Sequence, residues 1–117
     1  MIIKTVSFPQ ISGTTEIRYF IGKTAKENFD LIDAAVGHHI WFHINGQPSG
    51  HVIAEVPNDI EKKDLRYIIK QGCVICKQMS KFASQKRVDI IYAKVEHVEK
   101  QDRVGSVIVS NGKTITI

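Results

Sequence analysis

Short apolar runs recur along the chain in two rhythms. Runs rich in β-branched and aromatic residues, several alternating with period two as a half-buried strand does, are "IIKTVSF" near the start, "TEIRYFI" from Thr15, "IWFHI" from Ile40 and "HVIAEV" from His51. The first two are separated by "PQISGT", whose proline and glycine break regular structure, and the last two by "NGQPSG", a turn-rich stretch of hairpin length. Helical spacing appears twice. Thr24 is placed to cap "AKENFDLIDAAV", where Phe29, Ile32 and Ala35 or Val36 recur at helical intervals and Gly37 acts as a stop. A longer helix is predicted from about Ile60 to Phe82, with Asn58 or Asp59 as its cap. At 100° per residue, Leu65, Ile68, Ile69, Gly72, Cys76, Met79 and Ala83 share one side of it, and Lys63, Arg66, Lys70, Lys77 and Lys81 share the other. Gly72 lies mid-helix on the apolar side at a cost of about 1 kcal/mol relative to alanine, so another backbone is expected to pack closely against it.

The last third returns to strand character: "RVDIIYA", a polar connection "KVEHVEKQDRVG", and "SVIVSNGKTITI", where Asn111 and Gly112 between alternating runs predict a type I′ hairpin. The resulting order β-β-α-β-β-α-β-β-β predicts an α+β fold, a single domain with a mainly antiparallel β-sheet and two helices packed against it. A chain of 117 residues is the right size for one core. It contains no apolar run long enough to span a membrane, and its opening is too short in apolar residues for a signal peptide, so a soluble, cytoplasmic protein without membrane attachment is expected. Two cysteines supply no disulfide framework. The net charge of +4 suits an anionic partner, but an excess of 16 basic over 12 acidic residues is modest, and where the charges sit matters more than their sum.

The segment "HHIWFHINGQPSGH" gathers four of the five histidines and the only tryptophan. Period two puts His39, Trp41 and His43 on one face of a strand and Ile40, Phe42 and Ile44 on the other, which goes to the core. Two readings of the first face remain open. It is an exposed ring platform suited to stacking, or, if a helix covers this side too, a second core layer with the histidines at its edge, the commoner arrangement. His39, His43 and His51 are the set that could converge across a hairpin to hold zinc, which accepts imidazole. Their H-x3-H spacing lies on a strand without a neighbouring carboxylate, unlike known zinc signatures, and no metal or other cofactor is expected.

"CVIC" matches C-x-x-C but falls mid-helix instead of at a helix N-terminus, which favours core thiols over a redox pair. "GQPSG" lacks the order of a nucleophile elbow, and no phosphate-cradling glycine motif occurs. Nothing in the residues argues for an enzyme, and a metal-dependent hydrolase is the least supported class. The stripe of Lys63, Arg66, Lys70, Lys77 and Lys81 is either a solvated face or a phosphate-contacting one, with Lys86, Arg87, Lys94 and Lys100 adding charge beyond it. Five phosphate contacts on a duplex would give a slope of about −4.5 in log K against log salt.

At "GKTAKENFDLI" and "HIWFHINGQPSGHV" the chain resembles the NFACT-R domain family, the RNA-binding module of the NFACT proteins of ribosome-associated quality control, which also occurs as free-standing proteins. Gly22 and Lys23 precede Asn28 and Leu31; Trp41, Phe42 and His43 are followed after a loop by His51 and Val52; "VDIIYAKVEHVEK" is similar to a later family region, and Gly105, Val107 and Thr114 fit its closing strands. The chain departs from the family pattern at His39, where an acid is usual, at the Asn45-Gly46 turn, and in the reversed order of Ser49 and Gly50. The resemblance implies a non-catalytic module that binds structured RNA, tRNA or rRNA, near the ribosome; the residues themselves leave DNA open as an alternative nucleic acid. It implies a contact surface of Trp41, His43, His51 and the Ser49-Gly50 backbone, with Lys23 and Asn28 nearby. Together with the basic stripe, Lys86 and Arg87, this predicts a charged ridge and a ring-lined ledge on one exposed side. A protein-interaction domain is the second reading.

Overall fold

The computed structural model describes residues 1–11 and 16–117. The later part of the predicted "PQISGT" break, and Thr15 at the start of the second predicted strand, lie outside the described residues. The elements are β1 (Ile2–Ser7), β2 (Glu16–Ile21), α1 (Ala25–Ala34), β3 (Ile40–Ile44), β4 (Val52–Ala54), α2 (Lys62–Gln78), β5 (Asp89–Lys94), a 3-10 turn (Val95–His97), β6 (Val98–Lys100), β7 (Val107–Val109) and β8 (Lys113–Thr116). Six strands form an antiparallel sheet in the order β1-β2-β4-β3-β5-β8, and β6 and β7 form a separate two-stranded ribbon. This is the α+β architecture predicted, with one strand more than the sequence showed.

Strand parity decides which side chains go to which layer. Ile40, Phe42 and Ile44 of β3, with Val52 and Ala54 of β4, face α2 and pack on Ile68, Cys73, Ile75 and Cys76. The alternate residues Trp41, Ile53 and Ala93 face the other way, onto Leu31 and Ile32 of α1 and onto Val95 and Val98, with Val107 and Val109 closing the layer. Both faces of the central strands are therefore buried: Phe42 is 0% exposed and Trp41 2%. The predicted face assignment of β3 is correct, but the second face is not open. A helix on each side of the sheet covers it.

Gly72 explains how closely α2 lies on the sheet. A β-carbon there would sit 2.1 Å from Cζ of Phe42, so the residue makes room for an aromatic ring, not for the backbone expected from the sequence. Nearby, the Tyr19 hydroxyl donates to the Ile68 carbonyl at 2.8 Å, tying β2 to the same helix.

Three boundaries differ from expectation. α2 begins after Glu61, which makes no side-chain capping bond, so neither Asn58 nor Asp59 is the cap. It ends earlier, because the Ser80 hydroxyl donates to the Lys77 carbonyl at 2.7 Å and accepts from the Phe82 amide at 3.1 Å, a local alternative to continued helix. The Asn111-Gly112 turn exists, with Asn111 at φ 54°, but it is not a hairpin. β7 pairs with β6 and β8 with β5, so the turn carries the chain from the ribbon to the main sheet.

Candidate nucleic-acid interface

At one end of the sheet three backbone segments are locked together. The Gly22 amide donates to the His51 carbonyl at 2.9 Å, and the His51 amide donates to Oδ1 of Asn28 at 3.0 Å. A β-carbon at Gly50 would lie 2.2 Å from the Gly22 carbonyl oxygen, so only glycine lets these strands approach. α1 starts here, as predicted: Thr24 Oγ1 accepts from the Glu27 amide at 3.1 Å, and the Glu27 carboxylate accepts from the Lys23 amide at 2.9 Å, a variant of the capping box. The Ser49 hydroxyl accepts from the Ile44 amide at 3.2 Å and donates to the Gly50 carbonyl at 3.3 Å. Asn28 and Ser49 therefore hold the β3–β4 loop in place.

On this frame Trp41, His43 and His51 meet. Continuing the β3–β4 register by one position sets His43 opposite His51, on the face that carries Trp41. The indole and the His43 imidazole are stacked, with centroids 5.6 Å apart and planes 5° from parallel. His51 stands edge-on to both, at 5.3 Å from Trp41 and 5.1 Å from His43. Burial pushes the His51 pKa down to about 3, with His43 adding to the effect. Burial also lowers that of His43, against opposing backbone groups at Ile44 and Ser49. Both imidazoles are neutral at pH 7. Trp41 Nε1 and His51 Nδ1 are buried and have no hydrogen-bond partner among the described residues.

These rings lie at an open concavity of ≈ 640 Å³ that is also lined by Lys23, Asn28, Ser49 and Gly50. Seven of the residues expected in the contact surface are thus brought together. Its far wall, Gln101 and Arg103 to Ser106 with Val107 at the start of β7, comes from the β6–β7 connection and was missed in the sequence, where this stretch reads as a polar connection. The only signal was the short valine alternation on either side of it.

The basic stripe lies elsewhere. α2 covers the sheet face opposite Trp41, so its cations and the rings lie on different sides of the sheet, and the single ridge-and-ledge surface expected from the sequence is not what the fold makes. Lys63 pairs with Glu61 at 3.6 Å. Arg66 and Lys70 flank a groove with Tyr92, Ile115 and Ile117. Lys77 donates to the Ile117 carbonyl at 3.2 Å, and Lys81 lies 5.7 Å from the centroid of the Phe82 ring. Lys86 and Arg87 are exposed in the segment after α2, and Arg87 lines a hollow that shares Asn45 and Gln47 with the ring-floored concavity. The two groups of residues therefore adjoin at the β3–β4 loop.

Among the described residues no group of three or more His, Cys, Asp or Glu side chains is arranged to hold a metal ion. Cys73 and Cys76 are buried free thiols, and burial pushes both pKa values up to about 12, which leaves them protonated and inert. No helix among the described residues is long and apolar enough to cross a membrane.

An antiparallel sheet covered on both faces, with a cationic helix on one side and a ring-floored hollow at the loop end, defines a small α+β binding domain. The chain belongs to the family described as the NFACT protein RNA binding domain, whose model matches residues 6–114. Its fold is similar to that of the C-terminal part of the fibronectin/fibrinogen-binding protein from Streptococcus suis, with a TM-score of 0.77 at 17% identity. That match covers 97% of this chain and 43% of the other, so the protein spans less than half the length of that solved chain. No curated protein matches the chain.

Proposed function

We propose that the protein is a cytoplasmic module that binds structured RNA, tRNA or rRNA, at or near the ribosome, and that it holds the phosphates on α2 and the segment following it. The family supports RNA as the ligand. The observation that orients it is the segregation of charge. Residues 62–87 contain eight lysines and arginines against a single acid, Asp64, whereas the rest of the chain has eight bases and eleven acids. Asp64 is only 6% exposed, so apart from Glu61 at its cap, which pairs with Lys63, the surface of α2 offers no acid to offset its cations. On the opposite side Lys26 pairs with Asp30 and Lys100 with Asp33, which neutralises much of what that side has. A polyanion is drawn to the α2 side.

Titration of a tRNA with the protein at several salt concentrations tests this. The slope of log K against log salt is expected to approach about −4.5, as five neutralised phosphates on a duplex stem would give. Reversing Lys70, Lys81 and Lys86 to Glu weakens binding to any RNA sequence and flattens that slope, because phosphate contacts carry no base information. Reversing Lys26 leaves both unchanged. Binding that is insensitive to salt and to the triple reversal would point to a protein partner instead.

A further inference from the structure

The concavity beside the β3–β4 loop has a chemistry different from that of the α2 face. Its floor is the stacked pair Trp41–His43 with His51 edge-on, three rings that are uncharged at neutral pH. Its walls carry the amides of Gln47 and Gln101, and its rim carries Lys23 and Arg103, neither of which forms an ion pair among the described residues. Two rim cations are too few for a run of phosphates, and the polar walls do not suit an aliphatic ligand. A planar, polar ring flanked by one or two phosphates fits both.

We propose that this concavity holds one unstacked nucleobase of the bound RNA, its ring continuing the Trp41–His43 stack and its flanking phosphates lying at Lys23 and Arg103. This rests on the RNA-binding reading above and names what the second surface adds to it.

Three observations support it independently. The volume of ≈ 640 Å³ lies within the roughly 300–1,000 Å³ of small-molecule sites, which suits a nucleotide and is far too small for a duplex. His43 is half-buried, with one face on the indole, and sequence-specific RNA recognition commonly stacks splayed bases on such rings. Trp41 Nε1 and His51 Nδ1, in residues only 2% exposed, have no hydrogen-bond partner among the described residues, and buried unpaired groups of this kind call for an explanation that a ligand ordering the site supplies. The path is continuous as well. Asn45 and Gln47 line both this concavity and the hollow containing Arg87, so a strand leaving the end of α2 crosses the loop into the ring-floored site.

The test compares a mixed-sequence single-stranded RNA octamer with an abasic octamer of equal phosphate number, each titrated at several salt concentrations beside a tRNA. The octamer with bases is expected to bind roughly tenfold more tightly than the abasic one, as one added base–ring stack would give. His43→Ala brings it to the abasic level without changing the salt slope. Ala25→Phe does the same from outside the core: Ala25 is exposed at the mouth of the concavity, so this variant folds even where a His43 change does not. Equal affinities for the two octamers at a shared salt slope would overturn the base site and leave the RNA reading standing, as would tRNA binding with no binding of either octamer. Failure of all three RNAs to bind would overturn both.

Discussion

At the scale of single residues, the indole of Trp41 combines two roles that the sequence could not separate. It is packed against Leu31, Ile32 and Ile53 at 2% exposure, and it also supports the His43 ring at the floor of the concavity. Trp41→Ala, the obvious test of stacking, is therefore a core deletion expected to cost about 3–5 kcal/mol in urea unfolding. Any loss of RNA binding by that variant would report unfolding before recognition, and an unchanged midpoint would show the indole to be less embedded than described. His51 carries a pH signature. Its folded pKa, near 3, lies below the ~6.5 of an unfolded histidine. As pH falls below 6.5 the unfolded chain takes up a proton that the folded one refuses, so stability declines with falling pH. His43 and His39 are shifted in the same direction by burial. Unfolding free energy should drop between pH 6.5 and 5, above the carboxylate range, and His51→Gln should make that drop smaller. An equally steep decline in the variant would assign it to other groups.

At the scale of elements, what the sequence revealed and what it hid have separate physical causes. Parity along β3 was readable, because period two forces Ile40, Phe42 and Ile44 to one side whatever lies beyond. The cover over the other side was not readable. It comes partly from α1, whose position depends on tertiary contacts, and partly from the β6–β7 ribbon, whose strands are three residues each and carry Glu99 and Lys100 among the valines. The same limit hid the far wall of the site, while the residues from Lys23 to His51 were found because they lie close in sequence or in register. The Asn111-Gly112 signal identified a turn correctly, but not the pairing of the strands beside it, since the partners, β6 and β5, lie outside the local stretch that carries the turn signal. Gly72 gives an element-scale prediction. Alanine there would gain about 1 kcal/mol of helix propensity. It would also place a methyl group 2.1 Å from Cζ of Phe42, which is fully enclosed, and overpacking of that kind costs typically ~1–3 kcal/mol. The clash wins if Phe42 cannot turn aside, and a lower denaturation midpoint for Gly72→Ala would show it. A raised midpoint would mean that α2 can slide on the sheet.

For the whole molecule, the fold converts a small net charge into a directional one. α2 and the segment after it carry the cations on one side of the sheet, α1 and the ribbon carry compensated pairs on the other, and the ring-floored concavity opens at the end where the two sides meet. An RNA seated as proposed covers one side and one end, and leaves the β1 edge bare. Chemical labelling of lysines with and without bound tRNA distinguishes this arrangement from non-specific adhesion. Lys70, Lys77, Lys81 and Lys86 should lose reactivity together with Lys23 at the rim, while Lys4 on β1 and Lys26 on the outer surface of α1 should keep theirs. Added salt should restore reactivity along α2 before it restores Lys23, because screening weakens exposed phosphate contacts more than a partly enclosed one. Protection centred on Lys4 and Lys26 would place the RNA on the opposite side of the sheet, and uniform protection of every lysine would mean that net charge alone attracts it.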